Sequence, residues 1–210
     1  MNIKSFTFNA FAENTYVVYD ETKECIIIDP GCSNNSENKI LLDYLKSFDL
    51  IPVQLINTHC HIDHILGNAF VHKQFGLKLT AHKKEKQVLD FGNQTAMMYQ
   101  IPYTTSPDIE IFIDEGDTIK FGNSTLDVLF TPGHSPASIS LYNASHKILI
   151  AGDVLFQGSI GRTDLPGGNT ETLLRVIKNK FFNLPDETVV YAGHGDSTSI
   201  GIEKRTNPFF

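Results

Sequence analysis

The sequence predicts an α/β fold in which two mixed β-sheets form a sandwich with helices on the outside. Short runs rich in β-branched residues recur along the chain, and amphipathic helical segments follow several of them. The chain also divides broadly into two strand-rich halves, each of which closes with a helix and a strand. Because no linker, low-complexity block or internal repeat in residue identity interrupts the 210 residues, we predict a single domain over residues 1–210.

The first half alternates between strands and helices up to about residue 91. Apolar residues at helical spacing predict a helix over residues 36–48. Gly76, a typical helix C-cap, marks the end of another helix. The predicted strands are 3–8, 14–19, 24–29, 53–57 and 77–81, and the predicted helices are 36–48, 65–75 and 83–91.

Residues 92–108 show no clear periodicity, and we predict a long loop there. Loops of this length in compact domains are usually functional or mobile. Four of its side chains could cover a pocket or equally plug the core beside it: Met97, Met98, Tyr99 and Tyr103.

The second half is richer in strands. Turns at residues 115–117 and 121–123 separate its first strands. The predicted strands are 109–113, 118–121, 125–130, 138–143, 147–151 and 188–192, and the predicted helices are 170–181 and 199–205.

Composition excludes several classes of protein. A formal charge of −7 argues against a nucleic-acid partner, because phosphate backbones attract basic surfaces. No apolar run is long enough to span a membrane, and the N-terminus lacks the apolar stretch of a signal peptide. Three cysteines without a CxxC pair indicate a reducing compartment, so we expect a cytoplasmic protein. The expected partner is a small-molecule substrate, rather than a nucleic acid or a membrane. The oligomeric state stays open.

A dense group of imidazoles and carboxylates follows the predicted strand at 53–57. Residues 58–64 read Thr-His-Cys-His-Ile-Asp-His. In an extended segment, side chains two residues apart lie on the same face, so Cys60 is expected to face away from the group and to pack rather than react. His64 begins the next turn and can reach a neighbouring point. Imidazoles with a carboxylate suit Zn²⁺, Mn²⁺ or Fe²⁺. The residues expected to converge are His59, His61 and Asp63.

Three later strand ends each offer one more ligand. In each of them an apolar strand meets a glycine and then a ligand-capable side chain. Small residues at such points let the backbone come close to a bound group. Each side chain taken singly is more simply a turn residue, but the full set of five histidines and two aspartates predicts a dinuclear metal site. The three additional candidates are His134, Asp153 and His194.

With these motifs the chain resembles the metallo-β-lactamase superfamily. Within it, residues 57–64, 131–135, 161–168 (Gly-Arg-Thr-Asp-Leu-Pro-Gly-Gly) and 193–195 resemble the glyoxalase II-type branch. Residues 199–209 are similar to short bacterial members of that branch, so the resemblance covers nearly the whole chain. It implies an αβ/βα four-layer sandwich of two mixed β-sheets with outer helices, and metals in a cleft at its edge.

The resemblance also implies a distribution of ligands over two divalent metal ions, with Zn²⁺ expected and Fe²⁺ or Mn²⁺ as alternatives. Two ions about 3.5–4 Å apart can share a hydroxide, because metal binding lowers the pKa of water to about 7. The first ion takes His59, His61 and His134, the second takes Asp63, His64 and His194, and Asp153 bridges both.

The activity implied is hydrolysis of a hydroxyacylglutathione-like thioester by the metal-bound hydroxide. Asp63 is expected to orient the hydroxide and could receive a proton. Arg162 either binds an anionic group of the substrate or braces its loop through Asp164, and we favour bracing. Sixteen residues follow His194, and the bases among them are Lys204 and Arg205, so the thiol of the substrate stays open.

Three other interpretations of the function compete with this one. A persulfide dioxygenase of the same branch would hold one Fe²⁺ near His61, His134 and Asp153. A β-lactamase, a lactonase or another ester hydrolase is supported by the fold alone, which is weak support. A non-catalytic metal-binding scaffold is the least favoured, because seven ligands shared over two metals leave open coordination positions.

Overall fold

Two six-stranded β-sheets hold most of the strands in this computed structural model, which describes residues 1–210. Strands β1 to β3 of the first sheet pair antiparallel, and β3 to β6 pair parallel, so the sheet is mixed. Its strands follow one another in space as in the chain: β1 (Asn2–Phe8), β2 (Glu13–Tyr19), β3 (Glu24–Ile28), β4 (Ile51–Ile56), β5 (Leu79–Ala81) and β6 (Ile109–Phe112).

The second sheet is also mixed, because β10 pairs parallel with β13 while its other neighbour, β9, is antiparallel. A separate two-stranded hairpin consists of β11 (Leu155–Phe156) and β12 (Ser159–Ile160). The spatial order of the six strands is β14 (Thr198–Ser199), β13 (Val189–Ala192), β10 (Ile148–Gly152), β9 (Ile139–Asn143), β8 (Ser124–Phe130) and β7 (Thr118–Phe121).

The chain forms two compact units. The first comprises residues 1–113 with the hairpin tip 120–125, and the second comprises residues 114–119 and 126–210. The prediction of a single domain over residues 1–210 stays a prediction.

Each unit has its own apolar core between strands and helices. In the first unit, α1 (Asn35–Ser47) buries Leu41 and Leu45 against residues of the first sheet such as Leu55. In the second, α6 (Thr170–Asn179) buries Leu173 and Ile177 in the core that contains Val190. The remaining helices are α2 (Ile62–Ile65), α3 (Asn68–Phe75), α4 (Lys86–Asp90), α5 (Gly92–Tyr99) and α7 (Ile200–Thr206).

The helix predicted over residues 65–75 is wrong in its start, because the chain forms two helices there, α2 and α3. Gly67 lies between them, and its amide donates to the Pro30 carbonyl at 2.7 Å. A β-carbon at position 67 would lie 2.4 Å from the Cys32 Sγ, so the chain passes too close for any residue but glycine. The predicted C-cap is confirmed, since Gly76 has a left-handed φ of 69°.

The loop predicted over residues 92–108 is wrong in its first half, which is the helix α5. It ends at Gln100, which adopts the left-handed conformation usually taken by glycine, so the end of the helix left no glycine signal in the sequence. Met97 and Met98 are 73% and 69% exposed and therefore do not plug the core. Tyr103 does pack against the first core, and its hydroxyl accepts the Ser106 amide.

The hairpin β11–β12 was not predicted, because two-residue strands carry no periodicity. No helix in the structure has the length and apolar character that crossing a bilayer requires. All three cysteines are buried and free.

Candidate metal centre

In the first unit, the predicted ligands follow the end of β4. The imidazoles of His59 and His61 have ring centroids 4.8 Å apart, and those of His59 and His64 are 4.1 Å apart. Asp63 joins this group, because its Oδ2 lies 3.6 Å from the His64 Nε2. The structure therefore brings together all four ligand candidates of segment 58–64.

The predicted reason for this convergence is only half right. Residues 57–61 are non-helical, and Cys60 is buried on the far side as expected. Asp63, however, lies in the first turn of α2, which begins after His61. Period-two alternation therefore ends at His61, and the turn of α2 brings Asp63 and His64 to the group.

Asp29 supports the imidazoles of this loop from behind. Its carboxylate accepts the Thr58 amide at 2.7 Å and the Thr58 hydroxyl at 2.6 Å. Because the Thr58 hydroxyl already donates its proton to Asp29, it acts as the acceptor toward the His59 Nδ1, which lies 3.1 Å away. The His64 Nδ1 lies 3.2 Å from the Asp29 carboxylate. The His59 ring thus holds a proton on Nδ1 and presents Nε2 as the atom that would bind a metal, while the Asp29 carboxylate lies beside the Nδ1 of His64.

Asp29 could itself be taken for a ligand, because its oxygen and the nitrogens of His59 and His64 all lie within 4.8 Å of one another. Its hydrogen bonds from Thr58 and Asn57 favour a supporting role instead. The positive φ of 48° at Asp29 places the carboxylate in this position at the end of β3.

Two more buried acids contact the same loop. Glu13 is fully buried, and its Oε1 lies 3.8 Å from the His64 Nδ1 while Oε2 accepts the Thr15 hydroxyl. Burial raises the pKa of the Glu13 carboxyl well above its usual value, although His64 opposes the rise. Glu85 is also fully buried and accepts the Cys60 amide at 2.9 Å.

Cys60 is not a nucleophile in this geometry. Its side chain is 1% exposed, and burial raises the pKa of its thiol far above the usual range, with a further contribution from the Glu85 charge. The thiol is therefore protonated and enclosed, in agreement with the packing role predicted for it.

In the second unit, three strand ends meet at one carboxylate. Asp153 follows β10, and its Oδ2 lies 3.4 Å from the His134 Nε2 and 3.5 Å from the His194 Nε2. His134 follows β8, and His194 follows β13, each after the glycine that the sequence pattern singled out. Two imidazoles aimed at one carboxylate oxygen form the donor set expected around a bridging aspartate.

The His134 ring is oriented by backbone. Its Nδ1 lies 2.7 Å from the Arg162 carbonyl, and because a carbonyl only accepts, Nδ1 carries the proton and Nε2 faces Asp153. A β-carbon on Gly133 would lie 2.6 Å from the Leu173 backbone, so glycine is needed for the chain to pass here.

The Arg162 guanidinium points elsewhere. It donates from Nε and Nη2 to the two carboxylate oxygens of Asp164, at 2.7 and 2.8 Å. These hydrogen bonds lower the pKa of the exposed Asp164 carboxyl to about 2. The bracing interpretation of Arg162 agrees with this geometry.

The donor chemistry of both groups suits divalent metals. Imidazole nitrogens and carboxylate oxygens are ligands of Zn²⁺, Fe²⁺ and Mn²⁺, and because the supporting contacts of His59 and His134 are made through Nδ1, Nε2 is the atom through which each would bind a metal. The supporting acids were missed in the sequence. Asp29 had a signal, because it too follows an apolar strand directly, whereas Glu13 and Glu85 are single acids in unremarkable surroundings.

Comparison with known proteins agrees with this chemistry. Residues 9–194 match the family model of the metallo-beta-lactamase superfamily. Hydroxyacylglutathione hydrolase GloC of Haemophilus influenzae is 36% identical over 212 residues, which cover 100% of this chain and 98% of that protein.

Two solved structures are similar over 99% of this chain. BLEG-1, described as a B3 metallo-beta-lactamase, has a TM-score of 0.90 and 38% identity over 99% of its own chain. TTHA1623 in a di-iron-bound form has a TM-score of 0.89 and 32% identity over 100% of its chain. The predicted fold class, two mixed sheets flanked by helices, is thereby confirmed, and this chain belongs to the metallo-β-lactamase superfamily.

Proposed function

We propose that this chain is a metal-dependent hydrolase that cleaves a hydroxyacylglutathione-like thioester. The observation that carries the proposal is the convergence of His134 and His194 on the one carboxylate oxygen of Asp153, a bridging arrangement that suits two metal ions. The full-length similarity to the Haemophilus influenzae hydroxyacylglutathione hydrolase favours this substrate class.

We assign all seven candidates as ligands of two divalent ions. One ion takes the nitrogen-only set, and the other takes the set that includes Asp63, while Asp153 serves both. When bound, the ions would act as Lewis acids and would lower the pKa of a water molecule, which turns it into a nucleophile near pH 7. The two sets are His59, His61 and His134 for the first ion, and Asp63, His64 and His194 for the second.

The protein's own residues then have separable roles. Asp63, whose carboxylate lies next to the His64 Nε2, would keep the attacking water oriented and would receive its proton. Asp29 holds the tautomer of His59 through the Thr58 hydroxyl and places its carboxylate 3.2 Å from the His64 Nδ1. A thiolate leaves readily, so no dedicated general acid is required.

The metal identity is part of the proposal. The nitrogen-rich donor set accepts Zn²⁺ and Fe²⁺ alike. We propose Zn²⁺, with iron as the alternative that the di-iron form of TTHA1623 supports. The cytoplasmic location and the small-molecule substrate stay predictions.

β-Lactam hydrolysis is the second candidate function. BLEG-1, which is 38% identical over 99% of both chains, is described as a B3 metallo-beta-lactamase. The same nucleophile could open a β-lactam ring, so the two activities must be separated by substrate rather than by site.

One set of assays on the same purified protein tests these alternatives. Metal content is measured by elemental mass spectrometry after expression without added metal, and S-lactoylglutathione, a chromogenic cephalosporin and glutathione persulfide under oxygen are offered in turn. About two metal ions per chain with thioester cleavage is the expected result. Cleavage of the cephalosporin alone would replace the proposal by the second candidate, and a single iron with oxygen uptake would identify a persulfide dioxygenase.

A further inference from the structure

The hairpin β11–β12 lies in the chain between Asp153 and Arg162, two residues of the second ligand group and its support. Along the chain it begins two residues after Asp153 and ends two residues before Arg162, whose carbonyl orients His134. The Gly161 amide closes the base of the hairpin on the Val154 carbonyl at 3.3 Å. A shift of the hairpin would therefore move Asp153 and the partner of His134 together.

The same hairpin also touches the third ligand. The Phe156 ring centroid lies 6.2 Å from that of His194, and the two rings are nearly perpendicular at 88°. This is the edge-to-face arrangement that aromatic rings prefer. The position of one short hairpin is thus coupled to His134, Asp153 and His194.

A hairpin with two residues in each strand is not stable on its own, and this one is held by a buried acid of α7. Glu203 is fully buried, and its Oε2 accepts the amide of Gly158 in the hairpin turn at 3.0 Å. Its Oε1 accepts the Thr198 hydroxyl at 2.6 Å.

A second residue completes this attachment. The Asn207 side chain is 4% exposed and donates from Nδ2 to Glu203 Oε2 at 2.8 Å and to the Ser159 carbonyl at 3.0 Å. The hairpin turn is therefore held both by its N–H and by its C=O. Together, Glu203 and Asn207 form what we call the hairpin anchor.

We infer that Glu203 is a positioning residue of the metal site, acting through the hairpin anchor on the ligands His134, Asp153 and His194. A leucine would fill the same buried space, but it would leave the donors of Gly158, Thr198 and Asn207 without their acceptor. The hairpin would then be free to shift. This inference rests on the metal site assigned in the proposed function.

Glutamine at the same position separates hydrogen bonding from charge. In Glu203→Gln, the amide oxygen still accepts from Gly158 and Asn207, while the amide nitrogen donates to the Thr198 hydroxyl, which can accept as well as donate. We expect Glu203→Gln to behave as wild type and Glu203→Leu to lose metal.

The experiment is a Zn²⁺ affinity measurement on the full chain by competition with a chromophoric chelator, at a temperature well below the unfolding midpoint. Glu203→Leu is expected to weaken binding of the weaker Zn²⁺ ion about 10–100-fold, the usual effect of removing support behind a ligand. Glu203→Gln is expected to stay within about threefold of wild type. Ile177→Ala, which opens the same core on α6, controls for lost stability, because it should lower the unfolding midpoint and leave the affinity unchanged.

Wild-type affinity in a folded Glu203→Leu protein would overturn the inference, as would an equal loss of affinity in Ile177→Ala. If Glu203→Leu does not fold, Asn207→Ala takes its place, because it removes the Nδ2 bonds to Glu203 and Ser159 and otherwise only the Oδ1 bond from the Phe209 amide near the end of the chain. A loss of about 3–10-fold is expected there, and unchanged affinity would overturn the inference. Tight Zn²⁺ binding by the wild type without thioester cleavage would refute the proposed substrate while leaving this comparison decisive.

Discussion

The two ligand groups of this protein are supported in different ways. In the first unit, four ligand candidates lie within six residues, and distant acids back them through side-chain contacts. In the second unit, three ligand candidates come from three separate strand ends, and a backbone carbonyl and a short hairpin orient them. The first group is contiguous in sequence and the second is assembled by the fold.

This difference predicts different sensitivities. In the first unit, support reaches the loop at several points: Asp29 contacts Thr58 and His64, and Glu85 holds the Cys60 amide. In the second unit, the imidazoles of His134 and His194 both lie next to a single carboxylate, that of Asp153. Loss of a single residue should therefore do more damage in the second group than in the first.

The largest effect is expected from Asp153→Ala. Removing this carboxylate leaves His134 and His194 without their common partner and takes a proposed ligand from both ions. We expect kcat/KM for the thioester to fall at least about a thousandfold, which corresponds to about 4 kcal/mol of transition-state stabilisation. Metal content, measured by elemental mass spectrometry, should fall well below two ions per chain.

His61→Ala is the matched variant in the first unit. It should also abolish turnover, but it takes a ligand from one ion only and should therefore retain about one ion per chain. The unfolding midpoints of both variants are compared with wild type in EDTA, because bound metal would itself stabilise the folded state. Near-normal hydrolysis by either variant would refute the dinuclear site, and equal metal loss in both would remove the asymmetry between the groups.

A smaller effect is expected when the support rather than a ligand is changed. Asp29→Asn keeps a residue type that tolerates the positive φ of 48°, but it replaces one of the two carboxylate oxygens that accept from Thr58 and removes the negative charge beside the His64 Nδ1. Affinity for Zn²⁺ should fall about 10–100-fold, and the free energy of unfolding of the metal-free protein should fall by about 1–3 kcal/mol. Chelator competition and urea unfolding measure the two quantities.

Asp20→Asn is the control for this prediction, because Asp20 is another buried acid of the first unit. Burial opposes its ionisation, but hydrogen bonds from Thr22, Ser124 and Asn123 outweigh burial and lower its pKa to about 2. Its contribution to stability is thus present above about pH 4 and is lost as the pH falls toward 2. Asp20→Asn should lower stability near pH 7, approach wild type near pH 2, and leave Zn²⁺ affinity unchanged.

The same contrast explains how much could be predicted from the sequence. The ligand candidates in the contiguous loop 58–64 could be predicted from their residue types and their density. The pattern of an apolar strand followed by a glycine predicted His134, Asp153 and His194. The path of the chain was harder to predict, because α2 replaces the expected extended segment at Asp63. What holds the ligands was beyond prediction, because Glu85 and Glu203 act through contacts between residues far apart in the chain.

Local propensity explains the wrong loop at 92–108 in a similar way. The run Ala96-Met97-Met98 favours a helix on its own, but the exposed methionines create no apolar periodicity and Gln100 provides no glycine stop. The helix α5 therefore forms where its pattern is least visible. Sequence patterns reveal elements that bury one face, and they miss elements whose faces stay exposed.

Arg162 tests whether the second unit depends on side chain or backbone. Its guanidinium is paired with Asp164, and its carbonyl orients His134. Arg162→Ala keeps the carbonyl, so we expect KM and kcat each to change less than about threefold. The pKa of Asp164 should rise from about 2 toward the ordinary aspartate value, which an NMR titration between about pH 2 and 5 would measure.

A rise in KM of about tenfold or more with kcat unchanged would instead identify the Arg162 side chain as a substrate contact. Arg162→Lys distinguishes a specific contact from general charge, because lysine keeps the positive charge and loses the bidentate geometry. Rescue by lysine would indicate attraction of an anionic substrate, and failure of the rescue would indicate paired hydrogen bonds.

The smallest effect on activity is expected from Cys60→Ala, although Cys60 lies between two ligand candidates of the first unit. Its backbone amide donates to Glu85, and alanine preserves that bond. Its thiol is buried and protonated, so it takes no part in the reaction, and kcat/KM and Zn²⁺ affinity should stay within about twofold of wild type. The loss of a buried sulfur should cost about 1 kcal/mol of stability in urea unfolding.

Glu85→Leu removes the acceptor of the Cys60 amide instead, and it should lower Zn²⁺ affinity about tenfold. A large loss of activity in Cys60→Ala would show that the loop needs the side chain of Cys60 and not only its backbone amide.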